Sequence, residues 1–308
     1  MSFAIVFPGQ GSQSVGMLAA LADEFAIVKD TFAEASSVLN YDLWELVQEG
    51  PADKLNSTDV TQPAMLTAGI ACWRVWLEKG GAQPDVVAGH SLGEYSALTA
   101  AGSLNFADAV TLVQKRGQFM QAAVPVGEGA MAAVLGLDDD AVRNVCSQAA
   151  DGDVVEAVNF NSPGQVVIAG AKAAVERAVV IARDEGAKRA LLLPVSVPSH
   201  CALMKPAADQ LAQALTGISI SSPVIPVINN VDVATESSPE AIGQALVRQL
   251  YQPVRWVESV QKMGGMGVTK LIECGPGKVL VGLNKRIDKQ MAAAAVFDPD
   301  SLTAALSA

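Results

Sequence analysis

Apolar residues open the chain as a short block, 4–7, which Pro8-Gly9-Gln10-Gly11 close. A run of this kind bounded by turn residues predicts a buried strand. Apolar positions then recur at helical spacing over 25–39 and 62–78. A second block, 85–89, runs into a small-residue helix predicted over 91–101, and an amphipathic helix is predicted over 106–124. Strands alternating with helices predict a parallel sheet with both faces covered.

The pattern changes between 127 and 193. It predicts a strand at 130–136, a helix at 138–150, strands at 154–160 and 165–170, a helix at 171–185 and a strand at 189–193. Asn161-Ser162-Pro163-Gly164 form the turn between the middle strands, and Gly186 ends the second helix. That order, βαββαβ, is the ferredoxin-like one. It divides the chain into a large unit, 1–126 with 194–308, and a small inserted unit, 127–193. Beyond the insert the pattern predicts a helix over 201–215, a strand over 224–229, a mostly helical stretch over 239–264 and a strand over 270–273. Gly275-Pro276-Gly277 then form a turn.

The 308 residues are 50% apolar and 17% charged, which suits a large buried core and not a disordered chain. A net charge of −11 argues against a nucleic-acid binder, because phosphate contacts need clustered Lys and Arg. No apolar run approaches the roughly 20 residues that span a bilayer, and the N-terminus does not read as a signal peptide. Cys72, Cys146, Cys201 and Cys274 are too scattered for a zinc or redox motif, and a reducing cytoplasm is the expected location.

Gly89-His90-Ser91-Leu92-Gly93 fits G-x-S-x-G between a predicted strand and a predicted helix. In such an elbow the serine hydroxyl projects from the sheet edge, and the next N–H, here that of Leu92, faces a developing oxyanion. A serine nucleophile needs a base. The chain holds two histidines. His90 is adjacent, and side chains diverge in a tight elbow. His200 is the remaining imidazole, at a predicted helix start where it reads as a base or a cap. No Asp or Glu stands out as its carboxylate partner. Gly9 and Gly11 flank Gln10 in a turn whose N–H groups can face a ligand, and the third glycine of a dinucleotide fingerprint is missing. Arg116, on the helix at 106–124, is either solvated or turned inward as a fork for a carboxylate.

Together Phe7-Pro8-Gly9-Gln10-Gly11-Ser12-Gln13, Gly89-His90-Ser91-Leu92-Gly93-Glu94-Tyr95, Gln114-Lys115-Arg116-Gly117, Val197-Pro198-Ser199-His200, Asn229-Asn230-Val231, the stretch from Gln249 to Trp256 and Glu273-Cys274-Gly275-Pro276-Gly277 form an ordered set. In it the chain closely resembles the malonyl-CoA–acyl carrier protein transacylases of bacterial fatty acid synthesis, over essentially its whole length. The resemblance implies an α/β-hydrolase-like large subdomain with a parallel sheet and a ferredoxin-like insert. It implies ping-pong transfer of malonyl from malonyl-CoA, through Ser91, to the phosphopantetheine thiol of acyl carrier protein, with no permanently bound cofactor and no metal. His200 is the implied base and acid, the N–H groups of Gln10 and Leu92 the implied oxyanion hole, and Arg116 the implied malonate clamp. The Gln249 region is implied to supply the carbonyl that holds the imidazole.

A serine esterase or thioesterase built on the same Ser91–His200 pair is the alternative, and it lacks an HGGG-type oxyanion motif here. Charge adds one expectation. Between 248 and 289 eight basic residues face three acidic ones, so the segment sums to +5 and the rest of the chain to −16. Within it Lys285 and Arg286 are the expected docking residues for an acidic carrier protein or coenzyme A.

Overall fold

The computed structural model describes residues 2–195 and 197–307. Its strands are β1 (Phe3–Phe7), β2 (Val86–Gly89), β3 (Gly129–Leu135), β4 (Val155–Ser162), β5 (Gln165–Ala171), β6 (Arg189–Leu192), β7 (Val227–Ile228), β8 (Lys270–Cys274) and β9 (Ala292–Val296). They form two sheets. One is five-stranded, in the order β7-β2-β1-β8-β9, and its pairs are all parallel. The other is four-stranded, in the order β4-β5-β3-β6, and its pairs are all antiparallel. The second order is that of a ferredoxin-like βαββαβ unit.

The apolar block at β1 has a direct cause. Ala4 and Val6 enter one core with Val86, Ala88 and Trp256, while Ile5 and Phe7 enter another with Val87 and Ile272. At β1 and β2 both faces of the parallel sheet are dry, so these positions are apolar. The antiparallel sheet packs one face, through Ala132, Val134 and Ile168, on the helices Asp139–Ala150 and Lys172–Asp184. Met131, Val158 and Val167 lie on its other face, with Cys201.

Four segments depart from the sequence pattern. The strand expected over 224–229 shrinks to β7, because Pro226 lies within its first half, Pro223 just before it, and proline donates no ladder bond. The helix expected over 201–215 begins as a 3₁₀ turn, Ala202–Met204, and turns α-helical at Lys205–Leu215, with Pro206 in its first turn. The stretch 239–264 is two helices, Pro239–Gln249 and Trp256–Gly265, parted near Pro253. The Ala-rich tail lies beyond the last element that the pattern predicts. It supplies the sheet's edge strand β9 and the helix Pro299–Ser307. Among the described residues no helix is long and apolar enough to cross a membrane.

Candidate active site

β2 delivers Gly89 to a turn too tight for side chains. A Cβ on Gly89 would lie 1.8 Å from the carbonyl carbon of Gly93, and one on Gly93 would lie 2.1 Å from the carbonyl oxygen of Phe7. Ser91 sits at φ 51°, in the left-handed region that a side chain tolerates only when the surroundings enforce it. The enforcing bond is visible: the Ser91 N–H donates to Asn230 Oδ1 at 2.7 Å, and Asn230 Nδ2 donates to the Gly89 carbonyl at 2.7 Å. The turn after β1 presses on this elbow, since a Cβ on Gly9 would lie 2.4 Å from the His90 carbonyl oxygen. Gln10 and Leu92 thereby line the same cavity as Ser91.

Ser91 Oγ lies 2.7 Å from Nε2 of His200. Nδ1 of His200 lies 2.6 Å from the backbone carbonyl of Gln249, which can only accept, so Nδ1 carries the proton and Nε2 is left to accept from the serine. The His200 N–H donates to the Leu250 carbonyl at 2.9 Å, and His200 too has a positive φ, 68°. The C-terminal end of the helix Pro239–Gln249 thus holds the imidazole in place of a carboxylate. Burial pushes the His200 imidazole down to about 3, helped by the Arg116 charge, so the ring is neutral and basic-side-out at neutral pH.

Arg116 is turned inward and is 1% exposed. Its Nη1 donates to Gln62 Oε1 at 2.8 Å, and its Nη2 donates to Gln249 Oε1 at 3.0 Å and reaches Ser91 Oγ at 3.5 Å. The guanidinium stands 5.4 Å from the Tyr95 ring centre, and no carboxylate forms a salt bridge with it among the described residues. Its two Nη atoms are held by neutral amide oxygens and its Nε has no partner among the described residues, which leaves a buried positive charge at the cavity.

That cavity holds about 460 Å³. Ser91, His200 and Arg116 line it, together with Met131, Asn159 and Val167 of the antiparallel sheet. A larger open groove, about 740 Å³, lies between the helices Lys205–Leu215 and Pro239–Gln249 and is lined by residues such as Leu215, Ile220 and Val247. None of the groups above reaches it.

His90 faces away from Ser91, with Nε2 2.7 Å from Asn161 Oδ1 and its ring against Trp256. Cys201, beside His200 in sequence, is buried, bonded to the Pro198 carbonyl, and pushed up to about 12 by burial. It is no competing nucleophile. Lys285 and Arg286 are exposed and stand outside the cavity lining. Arg286 Nη1 donates to Gln165 Oε1 at 2.6 Å, beside the hairpin that carries Asn159, Asn161 and Val167. Several other cations of the 248–289 segment are occupied: Arg248 pairs with Asp232, Arg255 with Glu258, and Lys270 donates to the Ala305 carbonyl.

Sequence reasoning assigned nothing to Glu94, Asn230 or Gln62 as individual residues. Glu94 is 2% exposed and Asn230 and Gln62 are fully buried. The available signal was Glu94 itself, an acid in the first turn of a helix, Gly93–Ala100, made mostly of small residues.

Residues 4–296 match the acyl transferase domain family. A curated malonyl CoA-acyl carrier protein transacylase from Salmonella typhimurium is 61% identical over 305 residues, 99% of both chains. The crystal structure of an acyl carrier protein S-malonyltransferase from Vibrio cholerae superposes with a TM-score of 0.97 at 63% identity, covering 99% of this chain and 100% of that one. A malonyl-transacylase solved in complex with a type II PKS acyl-carrier protein superposes with a TM-score of 0.99 at 60% identity, covering 100% of this chain and 99% of that one.

Proposed function

The chain belongs to the acyl transferase domain family, and on that premise we propose that it moves malonyl from malonyl-CoA to the phosphopantetheine thiol of acyl carrier protein through an acyl-Ser91 intermediate. The observation that carries this reading is the Ser91 Oγ–His200 Nε2 contact of 2.7 Å beside a buried, carboxylate-free guanidinium.

In the first half-reaction the Ser91 hydroxyl gives its proton to His200 Nε2 as Oγ attacks the thioester carbonyl. The N–H groups of Gln10 and Leu92 receive the oxyanion. Collapse breaks the C–S bond, and the coenzyme A sulfur leaves with the proton from His200. In the second half the carrier thiol passes its proton to His200 and its sulfur attacks the acyl ester. Ser91 then departs as a hydroxyl, reprotonated by His200. The proton count closes, and no metal or cofactor enters.

Arg116 receives the malonyl carboxylate through its forked N–H groups. Pairing does a second thing. The Arg116 charge is one of the causes that hold the His200 imidazole down, after burial. A bound carboxylate offsets that charge, so the base strengthens when the correct acyl group is seated. Gln249 serves both partners, through its carbonyl on His200 and its side chain on Arg116.

Residues 127–193 form the small subdomain in this reading and supply the wall opposite Ser91. Lys285 and Arg286 are the proposed docking residues for the acidic partners, supported by their exposure and by the reach of Arg286 to the hairpin at Gln165. A reducing cytoplasm is the proposed setting, in keeping with four buried, unpaired cysteines. The pathway served is fatty acid or polyketide synthesis.

Mass spectrometry after incubation with malonyl-CoA tests the proposal. A malonyl adduct on Ser91 that a thiol acceptor discharges is expected. Its absence in Ser91→Ala and persistence in Cys201→Ala complete the result. Rapid release of free malonate without a thiol acceptor would favour the esterase chemistry instead.

A further inference from the structure

Glu94 is 2% exposed, and one of its oxygens does two jobs. Oε2 accepts from the Asn230 backbone N–H at 2.9 Å and from Gln249 Nε2 at 2.8 Å. Each of those residues continues to a different part of the site. Asn230 holds the Ser91 N–H. Gln249 Nε2 also reaches the Ser91 carbonyl at 3.1 Å, its Oε1 takes a bond from Arg116, and its backbone carbonyl takes the His200 proton.

We propose that Glu94 is a positioning residue that keeps Ser91, His200 and Arg116 in one register, through Asn230 on one side and Gln249 on the other. Its contribution is an oxygen at a fixed point where two N–H groups converge. A lone amide can rotate, and flipping Gln249 would put its NH₂ against Arg116, two donors facing each other. Acceptance by Glu94 forbids that orientation. The same oxygen, accepting from the Asn230 N–H, fixes the segment after β7, on which the strained φ of Ser91 depends. Burial pushes the Glu94 carboxyl up to about 7, against the bonds from Gln249 and Asn230 that pull it down. Its charge is therefore only partly present at neutral pH, whereas an acceptor oxygen is present in either form.

Position and charge make opposite predictions for two variants. Glu94→Gln keeps an acceptor oxygen in place and drops the charge. Glu94→Asp keeps the charge and draws the oxygen back by one methylene. Two rates are read in the full chain: covalent labelling of Ser91 by a fluorophosphonate, and malonyl transfer. The labelling readout depends on the Ser91–His200 pair alone, while the transfer readout rests also on the transferase reading. Glu94→Gln is expected to label within about threefold of wild type. Glu94→Asp is expected to label about a hundredfold more slowly, as a misplacement near 1 Å costs. Transfer should follow labelling, with the loss in kcat and little change in KM. Should Glu94→Asp not fold, Glu94→Ala takes its place with the same expectation. Labelling of the Asp or Ala variant at the wild-type rate overturns the proposal, as does a Gln variant slower than Asp. Lower thermal stability with unchanged labelling per folded molecule would make Glu94 merely structural. A wild type that reacts with the fluorophosphonate yet transfers no malonyl would sink the transferase reading and leave the Glu94 assignment standing.

Discussion

The parallel and antiparallel units use their strands in opposite ways. β1, from Ala4 to Phe7, and β2 are buried at every position, whereas β4 mixes buried and half-buried ones. A strand with apolar layers on both faces has no room for working polar groups. Three residues of the site accordingly sit in turns beyond the carboxyl ends of strands, Gln10 after β1, Ser91 after β2 and Asn230 after β7, while Arg116 comes from the helix Phe106–Ala123 and His200 from the segment before the 3₁₀ turn. The antiparallel sheet covers only one face with its own helices, so its other face can turn strand side chains such as Met131 and Val167 toward the cavity. In the proposed reaction one unit supplies charge and proton transfer, and the other supplies shape. Changes in the first should alter chemistry, and changes in the second should alter which acyl group fits.

The largest test of that division is Arg116→Ala. Removing the charge partner of a desolvated carboxylate costs about 2–5 kcal/mol. Malonyl transfer should fall by that amount in kcat/KM. Acetyl transfer should hold or rise, because loss of the nearby cation also frees the imidazole. Lys should rescue poorly, lacking the fork. Equal losses for both acyl groups would make Arg116 a packing residue and blur the division.

Acid stability comes next. The His200 pKa is about 3 in the fold against 6.5 outside it, so its stabilising share is complete above pH 6.5 and is lost as pH falls from there toward 3. His90 is lowered in the same direction by burial. Glu94 and Glu273 are both raised by burial to about 7 from 4.5, so their share is complete below pH 4.5 and is lost as pH rises toward 7. Each proton difference changes stability by about 1.4 kcal/mol per pH unit. The two pairs oppose each other between pH 4.5 and 6.5. Tm is expected to vary less there than at lower pH, where it falls steeply. Glu94→Gln with Glu273→Gln should steepen that shallow part, with Tm falling as pH falls. Both histidines lie in the large unit. Hydrogen exchange near pH 4 should open β1 and β2 before β3 and β5, and the reverse order would refute the assignment.

Smaller effects are expected from the wall. Met131 faces the cavity from β3. Met131→Ala should raise methylmalonyl transfer relative to malonyl about tenfold, the usual scale for one methylene of fit. Malonyl kcat should stay within about threefold. A large fall in malonyl kcat would show that the small unit takes part in the chemistry. Smallest in its effect on chemistry is the double reversal Lys285→Glu, Arg286→Glu. The carrier-protein KM should rise several-fold and lose salt dependence, because steering acts on association. Acylation of Ser91 at saturating malonyl-CoA should be unchanged. An unaltered KM would place the docking surface elsewhere.

What the sequence by itself determined was local. The two kinds of sheet follow from continuous against alternating apolar positions, and the elbow from the backbone's need for Gly89 and Gly93 within a turn of five residues. His200 was reached by elimination, since the chain has two imidazoles and His90 is bound into the elbow. Tertiary structure decided the partners. Arg116 reads as solvated or as turned inward until the helix Phe106–Ala123 is packed. The group behind His200 is a backbone carbonyl, which every residue has and no side chain advertises. Glu94 and Gln249 meet across 155 positions of sequence. Turn geometry is set by steric contacts a few residues apart, so it is written where it acts. The pairing of buried amides, carboxylate and guanidinium is set by which polar groups the finished packing leaves without water, and that is settled only when the distant segments close together.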